Sequence, residues 1–559
     1  MHSSIPPNVY VALKLPSDVT KVVKTVPNSY GFLISLALLR SNIANGNDRN
    51  VSLGKYGSFP CNQIIGRPFY ATFEIADHPD ADGHVLHIVS AAELHTEALI
   101  ADGEGDGDVE TDANTPTIPF PQEDNRHIID QRSTQQLTMA QIEELKQSST
   151  HAGREIISKL LESHSALDQK TQFSRAKYML RKRKKYLHRF TVVPMDVGIL
   201  TEWMLEQKDP GRIMELRDEM IGLIGAWANV HYGGTGEVGG AKADEMVNRE
   251  NGRWLIVDDT GGLVVAAMAE RAGILYPPEV LSGEGLPNTT KQGARLIQPT
   301  EDETPAAEAA SASHTTLTVI HPNLQPNLSM LKYFSHDINE PSETHPLSTH
   351  LKTLSWLQLL HPSEDAIYDM EPPKIGEEEL ASWKPSKRAM HFKKKRRWTR
   401  VRNAVDETRA GGFDGLIVAT LMDPTSILRH TVPLLAGSAQ VVVYSPYIEP
   451  LVQLADLYST ARRTAYITYK REVAEGAAED KEEEFPVDPT LLLAPTLHTS
   501  RVRTWQVLPG RTHPLMTGRG GAEGYVFHAV RVLPAMGKVE ARGVQAKKRR
   551  KMADETESS

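Results

Sequence analysis

The chain has a single cysteine, Cys61, among 559 residues. One thiol cannot close an intrachain disulfide or build a cysteine-rich zinc site, and such sparing use fits a reducing compartment. Long apolar runs are missing too. The longest candidate, "YGFLISLALL" at Tyr30 to Leu39, is about half of the ~20 residues a spanning helix needs, so no membrane association is expected. It also begins too far into the chain, behind strand-like alternation, to read as a signal peptide. No G-x-S-x-G elbow and no P-loop occur. His336, His345 and His350 lack the spacing of helix-borne or short-loop ligands, so no metal site is expected.

Acidic residues are missing locally. The net charge is −9, yet Gln169 to Met195 holds nine Lys or Arg and no acid, concentrated in "RKRKKYLHR". A second run, "WKPSKRAMHFKKKRRWTRVRN", holds ten, with Trp383, Phe392 and Trp398 interleaved. The acids lie elsewhere, in "DGEGDGDVETD" and "EDKEEE". A lone charge run is usually a solvated face. Two acid-free runs this dense in a net acidic chain point to a polyanion partner.

At this length two or three domains are expected. Residues 1–102 alternate as strands in "NVYVALKLP", "KVVKTVP", "FYATFEI" and "HVLHIVSA", which predicts a small antiparallel barrel or sandwich with an insertion at 31–50. Residues 103–130 form an acidic linker rich in Gly, Thr and Pro. Residues 131–195 form a helical connector: Thr138 and Gln141 make a capping box, and the basic run continues as a helix with Phe173, Ala176, Leu180 and Leu187 on one stripe. From 196 to 535 helices alternate with the strands "RWLIVDD", "TLTVIH", "GLIVAT" and "QVVVYSP", the pattern of a parallel α/β sheet. That domain contains a disordered insertion at about 276–314 and the basic segment 383–403, and it closes on a strand pair, "RTWQVLPG" with "GYVFHAVRVLP". Residues 536–559 are a basic and acidic tail whose "KKRRK" reads as a nuclear address.

Within "WLIVDDTGGLVVAAMAERAG" at Trp254 to Gly273, a strand, a tight turn and a helix reproduce the ligand-binding start of a doubly wound sheet. The turn Asp258, Asp259, Thr260, Gly261, Gly262 has one glycine pair where such loops normally spread three over about six positions. "GTGEVG" at Gly234 to Gly239 matches G-x-G-x-x-G formally, but it follows a helical segment and is assigned to a loop. In methyltransferases of this fold an acid after the second strand holds the donor's ribose, and the fourth strand delivers groups that hold the target base. Here those strands end in "VIHPNLQPN" and "IVATLMDPT", with His321 and Asn323 at the first position and Asp423 displaced into a loop. Three elements of one site are degraded together, which predicts a sheet kept as scaffold.

The strings "YVALKLPSDVTKVV", "LESHSALDQKTQFSRAKYMLRKRKKYLHRFTVV", "LIVDDTGGLVVAAMAERAGILY", "NLSMLKYFSHD" and "AQVVVYSPYIEPLVQLADLY" together resemble the non-catalytic subunit of the eukaryotic tRNA adenine-58 N1-methyltransferase, in a fungal form. The resemblance covers most of the chain apart from 31–50, the linkers and the tail. It implies a class I methyltransferase fold without a functional donor site, and no catalytic residue or cofactor in this chain. It also implies a catalytic partner that binds S-adenosylmethionine, a heterotetramer with two copies of each subunit, and methylation of N1 of adenine 58 in the tRNA T loop. Lys177, Arg181, Lys182, Arg183, Lys184, Lys185 and Arg189 match the family's basic motif and are the first candidates for RNA contact. Lys393, Lys394, Lys395, Arg396, Arg397 and Arg400 match it less well and stand second. Two alternatives stay open: an active RNA methyltransferase with an atypical donor pocket, and an assembly scaffold without RNA contact.

Overall fold

The computed structural model describes residues 4–27, 50–76, 84–94, 137–138, 140–141, 152–164, 172–232, 252–276, 315–338, 342, 344–373, 375–475, 484–503, 505–508, 511–514 and 523–533. The acidic linker, "GTGEVG", the expected insertion at 276–314 beyond Tyr276, and the tail beyond Leu533 lie outside these residues.

The N-terminal strands are β1 (Tyr10–Lys14), β2 (Thr20–Lys24), β3 (Asn50–Ser52), β4 (Ser58–Pro60), β5 (Thr72–Ile75) and β6 (Leu86–Val89). They are joined by β7 (Arg189–Pro194), from beyond the connector, into an antiparallel sheet of order β2-β1-β7-β5-β6, with β3 and β4 as a separate hairpin. The boundary expected at 195 is therefore misplaced, because β7 pairs with both β1 and β5 and completes the sheet. No pairing of β2 with β6 closes a barrel among the described residues. Phe59, Phe73 and Phe190 stack in its core, with centroids 4.6 Å and 5.5 Å apart. Such aromatic stacking adds to the burial of three large apolar side chains. Asn50 starts β3 and so belongs to this fold and not to an insertion.

In the connector the capping box is present: Thr138 N–H donates to Gln141 Oε1 at 2.9 Å, and Gln141 N–H to Thr138 Oγ1 at 3.4 Å. Helices α1 (Ala152–Glu162) and α2 (Gln172–Tyr186) pack together and bury Ile156, Ile157, Leu160, Tyr186 and Leu187. Leu187 thus takes the buried place its stripe assigned to it, whereas Leu180 is only half-buried.

The large domain begins with α3 (Val197–Gln207) and α4 (Asp218–Trp227). The next elements are β8 (Arg253–Asp258), α5 (Leu263–Arg271), β9 (Thr316–His321), β10 (Leu351–Ser355), α6 (Pro385–Ala410), β11 (Phe413–Ala419), α7 (Pro424–Thr431) and β12 (Leu435–Ser445). The last strands are β13 (Leu492–His498), β14 (Trp505–Leu508), β15 (Arg511–Pro514) and β16 (Tyr525–Arg531). Seven of them form one sheet of order β10-β9-β8-β11-β12-β16-β13, in which only β16 runs antiparallel to its neighbours. The expected final strand pair is not formed. β14 pairs instead with β15 in a small hairpin, while β16 inserts between β12 and β13. Strands β10 and β13 went unpredicted, because "LKTLS" and "LLAPTLH" each carry a half-polar pattern of an edge strand.

Central strands such as β8 and β11 are buried on both faces, as parallel strands covered by helices must be. One core joins them to α3, α4 and α5, and the other to α6, α7 and the helix Glu449–Leu457. Trp254 marks how tight the fit is: its indole N–H donates to Ala228 O at 3.0 Å, and a Cβ at Gly415 would lie 2.6 Å from its ring. The N-terminal sheet docks on this domain through Tyr10 against Tyr333, centroids 5.1 Å apart.

Candidate functional site

Ligands of doubly wound sheets bind beyond the C-terminal ends of the strands, so the turn after β8 comes first. Asp258 ends that strand and is buried. Its Oδ1 accepts from the Thr260 N–H at 2.6 Å and the Thr260 hydroxyl at 2.5 Å, and its Oδ2 from the Val265 N–H at 3.3 Å. Thr260 Oγ1 accepts in turn from the Val264 N–H at 3.1 Å. Two amides at the start of α5, groups that a helix can offer to an anion, are thus taken by the chain's own side chains. Burial pushes the Asp258 carboxyl up to about 6, against the hydrogen bonds that pull it down.

Gly261 and Gly262 adopt left-handed backbone, with φ of 73° and 91°. The segment after β9 lies directly on them. Met330 N–H donates to Gly261 O at 2.9 Å, and a Cβ at Gly262 would stand 2.9 Å from Leu328 Cα. Leu328, Met330, Leu331 and Phe334 are all buried. Gly262 therefore gives room to the chain's own backbone. A cleft of about 460 Å³ is lined by Trp203, Arg212, Ser329, Met330 and Tyr333 among others, and the two glycines are not among its lining residues.

The other strand ends are equally self-contained. His321, at the tip of β9, donates from Nδ1 to Asn323 O at 2.6 Å, and burial lowers its affinity for a proton. Thr420, after β11, donates its hydroxyl to the Asp259 carboxylate. Asp423 caps α7 by accepting from Ser426 N–H at 3.1 Å. His336, His345 and His350 are buried: His345 Nε2 donates to Phe334 O at 3.0 Å and His350 Nδ1 to Thr315 O at 2.7 Å. No cluster of metal ligands occurs among the described residues. Sequence reasoning missed the part played by Leu328 and Met330, and their only signal was an apolar pair in a loop.

The first basic run lies on α2 and just after it. Arg181 and Lys185 are exposed, and Lys177, Lys182 and Arg183 are half-buried. The Lys184 side chain lies outside the described residues. Lys182 sits over the rings of Tyr178 and Tyr186, at 4.9 Å and 6.0 Å, and burial lowers its pKa. Arg189 is corrected: it is buried in β7, where Nε donates to Glu74 at 2.9 Å and Nη2 to Glu93 at 3.2 Å, so it is an internal ion pair and no surface contact. The second run lies on α6, where Lys393, Lys394, Lys395, Arg396, Arg397 and Arg400 are all exposed.

A seven-stranded sheet in this order, with one antiparallel strand next to the edge and helices on both faces, is the Rossmann-like architecture of class I methyltransferases. The model of the Gcd10p family matches residues 40–384, and the chain belongs to that family. It is 54% identical, over 100% of its own length and 97% of the relative's, to the "tRNA (adenine(58)-N(1))-methyltransferase non-catalytic subunit trm6" of Aspergillus fumigatus. Proteins of the same description in Schizosaccharomyces pombe and Debaryomyces hansenii are 28% and 26% identical, over 95% and 98% of this chain and 92% and 90% of theirs. The resemblance drawn from the sequence is thus borne out. Among solved structures, the tRNA (m1A58) methyltransferase TrmI of Aquifex aeolicus is similar at 9% identity, with a TM-score of 0.35, over 95% of this chain and all of that one.

Proposed function

We propose that this chain is the non-catalytic, tRNA-holding subunit of a tRNA (adenine(58)-N(1))-methyltransferase, supporting a catalytic partner that alone binds S-adenosylmethionine. The closed turn carries this proposal. With Leu328 and Met330 seated on Gly262 and Gly261, and His321 where an acid would hold ribose, the residues present do not fit the methyl donor. A sheet kept without a ligand is then kept for its surfaces, and pairing with a homologous catalytic domain accounts for it in a particle with two copies of each. The exposed cations of α2 would contact tRNA phosphates, which carry no base identity, and leave recognition of the T loop to the partner. Work on tRNA in the nucleus would agree with "KKRRK" in the tail.

Titration of the isolated chain with S-adenosylmethionine tests the closed turn: no heat is expected, and micromolar binding would sink the proposal. Co-expression with the catalytic partner should give a particle of two copies each with methylating activity on tRNA. A stable monomer indifferent to that partner would count equally against it.

A further inference from the structure

Helix α6 spans 26 residues, but only Ala404, Val405 and Thr408 near its C-terminal end are buried, where it packs on β10. Between Pro385 and Arg400 every described side chain is exposed except Arg388, His391 and Trp398, which are half-buried. At 1.5 Å per residue this stretch is about 24 Å long. No acid occurs from Leu380 to Val405, and near the C-terminal end of the helix Arg402 pairs with Asp406 at 3.3 Å. Lys393 to Arg397 and Arg400 have no acidic partner among the described residues. Successive helical residues lie about 100° apart, so the five cations Lys393 to Arg397 point to every side. Like charges at i and i+4, as in Lys393 with Arg397 and Arg396 with Arg400, oppose the helix. Such an arm is relieved only by external anions.

Its root is fixed by named contacts. Trp398 Nε1 donates to Tyr368 O at 3.1 Å, Arg402 lies 4.5 Å from the Tyr368 ring centre, and Arg388 Nε donates to Leu380 O at 3.0 Å. The fold also sets where it stands. β10 is one edge of the seven-stranded sheet. α2 packs against β14, in the hairpin that connects β13 to β16 at the other edge. Six strand spacings of ~4.8 Å separate these edges by about 29 Å.

We propose that α6 is a second phosphate-binding arm that works together with α2 across the width of the sheet, so that only a folded RNA long enough to bridge both is held at full strength. The inference rests on the tRNA-holding role proposed above. Two attachments joined through one rigid ligand raise affinity well beyond either alone, and a ligand too short to reach both loses that gain. Cations on all sides of the arm suit phosphates approaching from more than one side, as between two segments of a folded RNA.

The test uses the complete complex with its catalytic partner, full-length tRNA, and an RNA hairpin shorter than the span. Lys393, Lys394, Arg396 and Arg397 are all changed to Gln in one variant, and Arg181→Gln with Lys185→Gln forms the other. The arm variant should bind tRNA at least roughly tenfold more weakly, with a shallower dependence on salt. Its affinity for the hairpin should fall by no more than about twofold, since α2 still serves it. Equal losses for hairpin and tRNA would overturn the bridging. An arm variant with unchanged tRNA binding, while the α2 variant binds more weakly, would overturn the arm alone. Unchanged binding in both variants would bring down the tRNA-holding role itself. Dissociation of the subunits by the arm variant without RNA would show the arm to be a protein contact, which also overturns it. Unaltered far-ultraviolet circular dichroism of the arm variant keeps a folding defect distinguishable.

Discussion

Met330 donates its backbone N–H to the carbonyl of Gly261 at 2.9 Å, which lays the loop after the second parallel strand on the turn after the first. A backbone hydrogen bond at this place holds chain against chain over the turn, and the buried Leu328 and Leu331 to either side keep the contact dry.

Opening the turn by Met330→Ala is therefore expected not to create a donor site. Truncating a buried Met costs about 2–5 kcal/mol, while Asp258 still accepts from the Val265 N–H of α5 and His321 still donates to Asn323 O at the tip of β9. Calorimetric titration of Met330→Ala with S-adenosylmethionine should show no binding; saturable heat would mean that the side chain alone closes the site.

Gly262 and Gly222 should respond in opposite directions to alanine. At Gly262 the φ of 91° and the 2.9 Å approach to Leu328 Cα make a Cβ costly, by about 2–3 kcal/mol. Gly222 lies inside α4 with nothing within 4 Å of an added Cβ, so Gly222→Ala should stabilise by about 0.5–1 kcal/mol. Urea midpoints of the two variants decide it, and equal shifts would contradict the geometry.

Exchange of Arg181 and Lys185 for Gln, which spares the half-buried Lys182 between its tyrosines, should weaken tRNA binding by the complex to a similar degree for different tRNA sequences. Each lost phosphate contact should flatten the slope of log affinity against log salt by roughly 0.7–0.9. If α2 is only a solvated face, affinity and slope both stay where they were.

The buried Asp258 makes a definite contribution to the pH dependence of stability. Its carboxyl titrates near 3.9 when unfolded and is pushed up to about 6 in the folded chain, chiefly by burial. Between these values the folded state holds the extra proton, so the stability contributed is greatest below about pH 4 and falls as pH rises towards 6. The whole effect is on the order of 3 kcal/mol at most. Stability of Asp258→Asn relative to the native chain should consequently rise from pH 4.5 to pH 6.5 in urea unfolding, and a constant difference would show that the group does not titrate there.

Cys61 is buried, and burial raises its thiol pKa. As the single thiol it reports on the N-terminal core: a disulfide reagent should react at least about a hundredfold more slowly with the folded chain than in denaturant. Comparable rates would mean that this core opens readily.

Much of this was written locally in the chain. The β8 run, the turn and α5 follow from apolar continuity, two glycines and helical spacing, and the acid-free runs are visible as composition. The single glycine pair at Gly261 and Gly262 and the histidine at His321, on which the proposed absence of a donor site rests, could be read in the sequence, because each concerns the residue type at one place. Tertiary structure alone decided what lies far apart in sequence. β7 completes a sheet begun more than 160 residues earlier, since its backbone pairs with β1 and β5. Arg189 sits in a basic run yet is removed from the surface by Glu74 and Glu93, which no local pattern announces. Leu328 and Met330, at the start of the short 3-10 helix Ser329–Phe334, show nothing of this role until the parallel pairing of β8 with β9 brings the two strand ends side by side and sets one connection on the other. The two basic helices likewise find their places only in the tertiary structure, α6 on the edge strand β10 and α2 on β14 of the hairpin between β13 and β16, because packing and not distance along the chain fixes which elements meet.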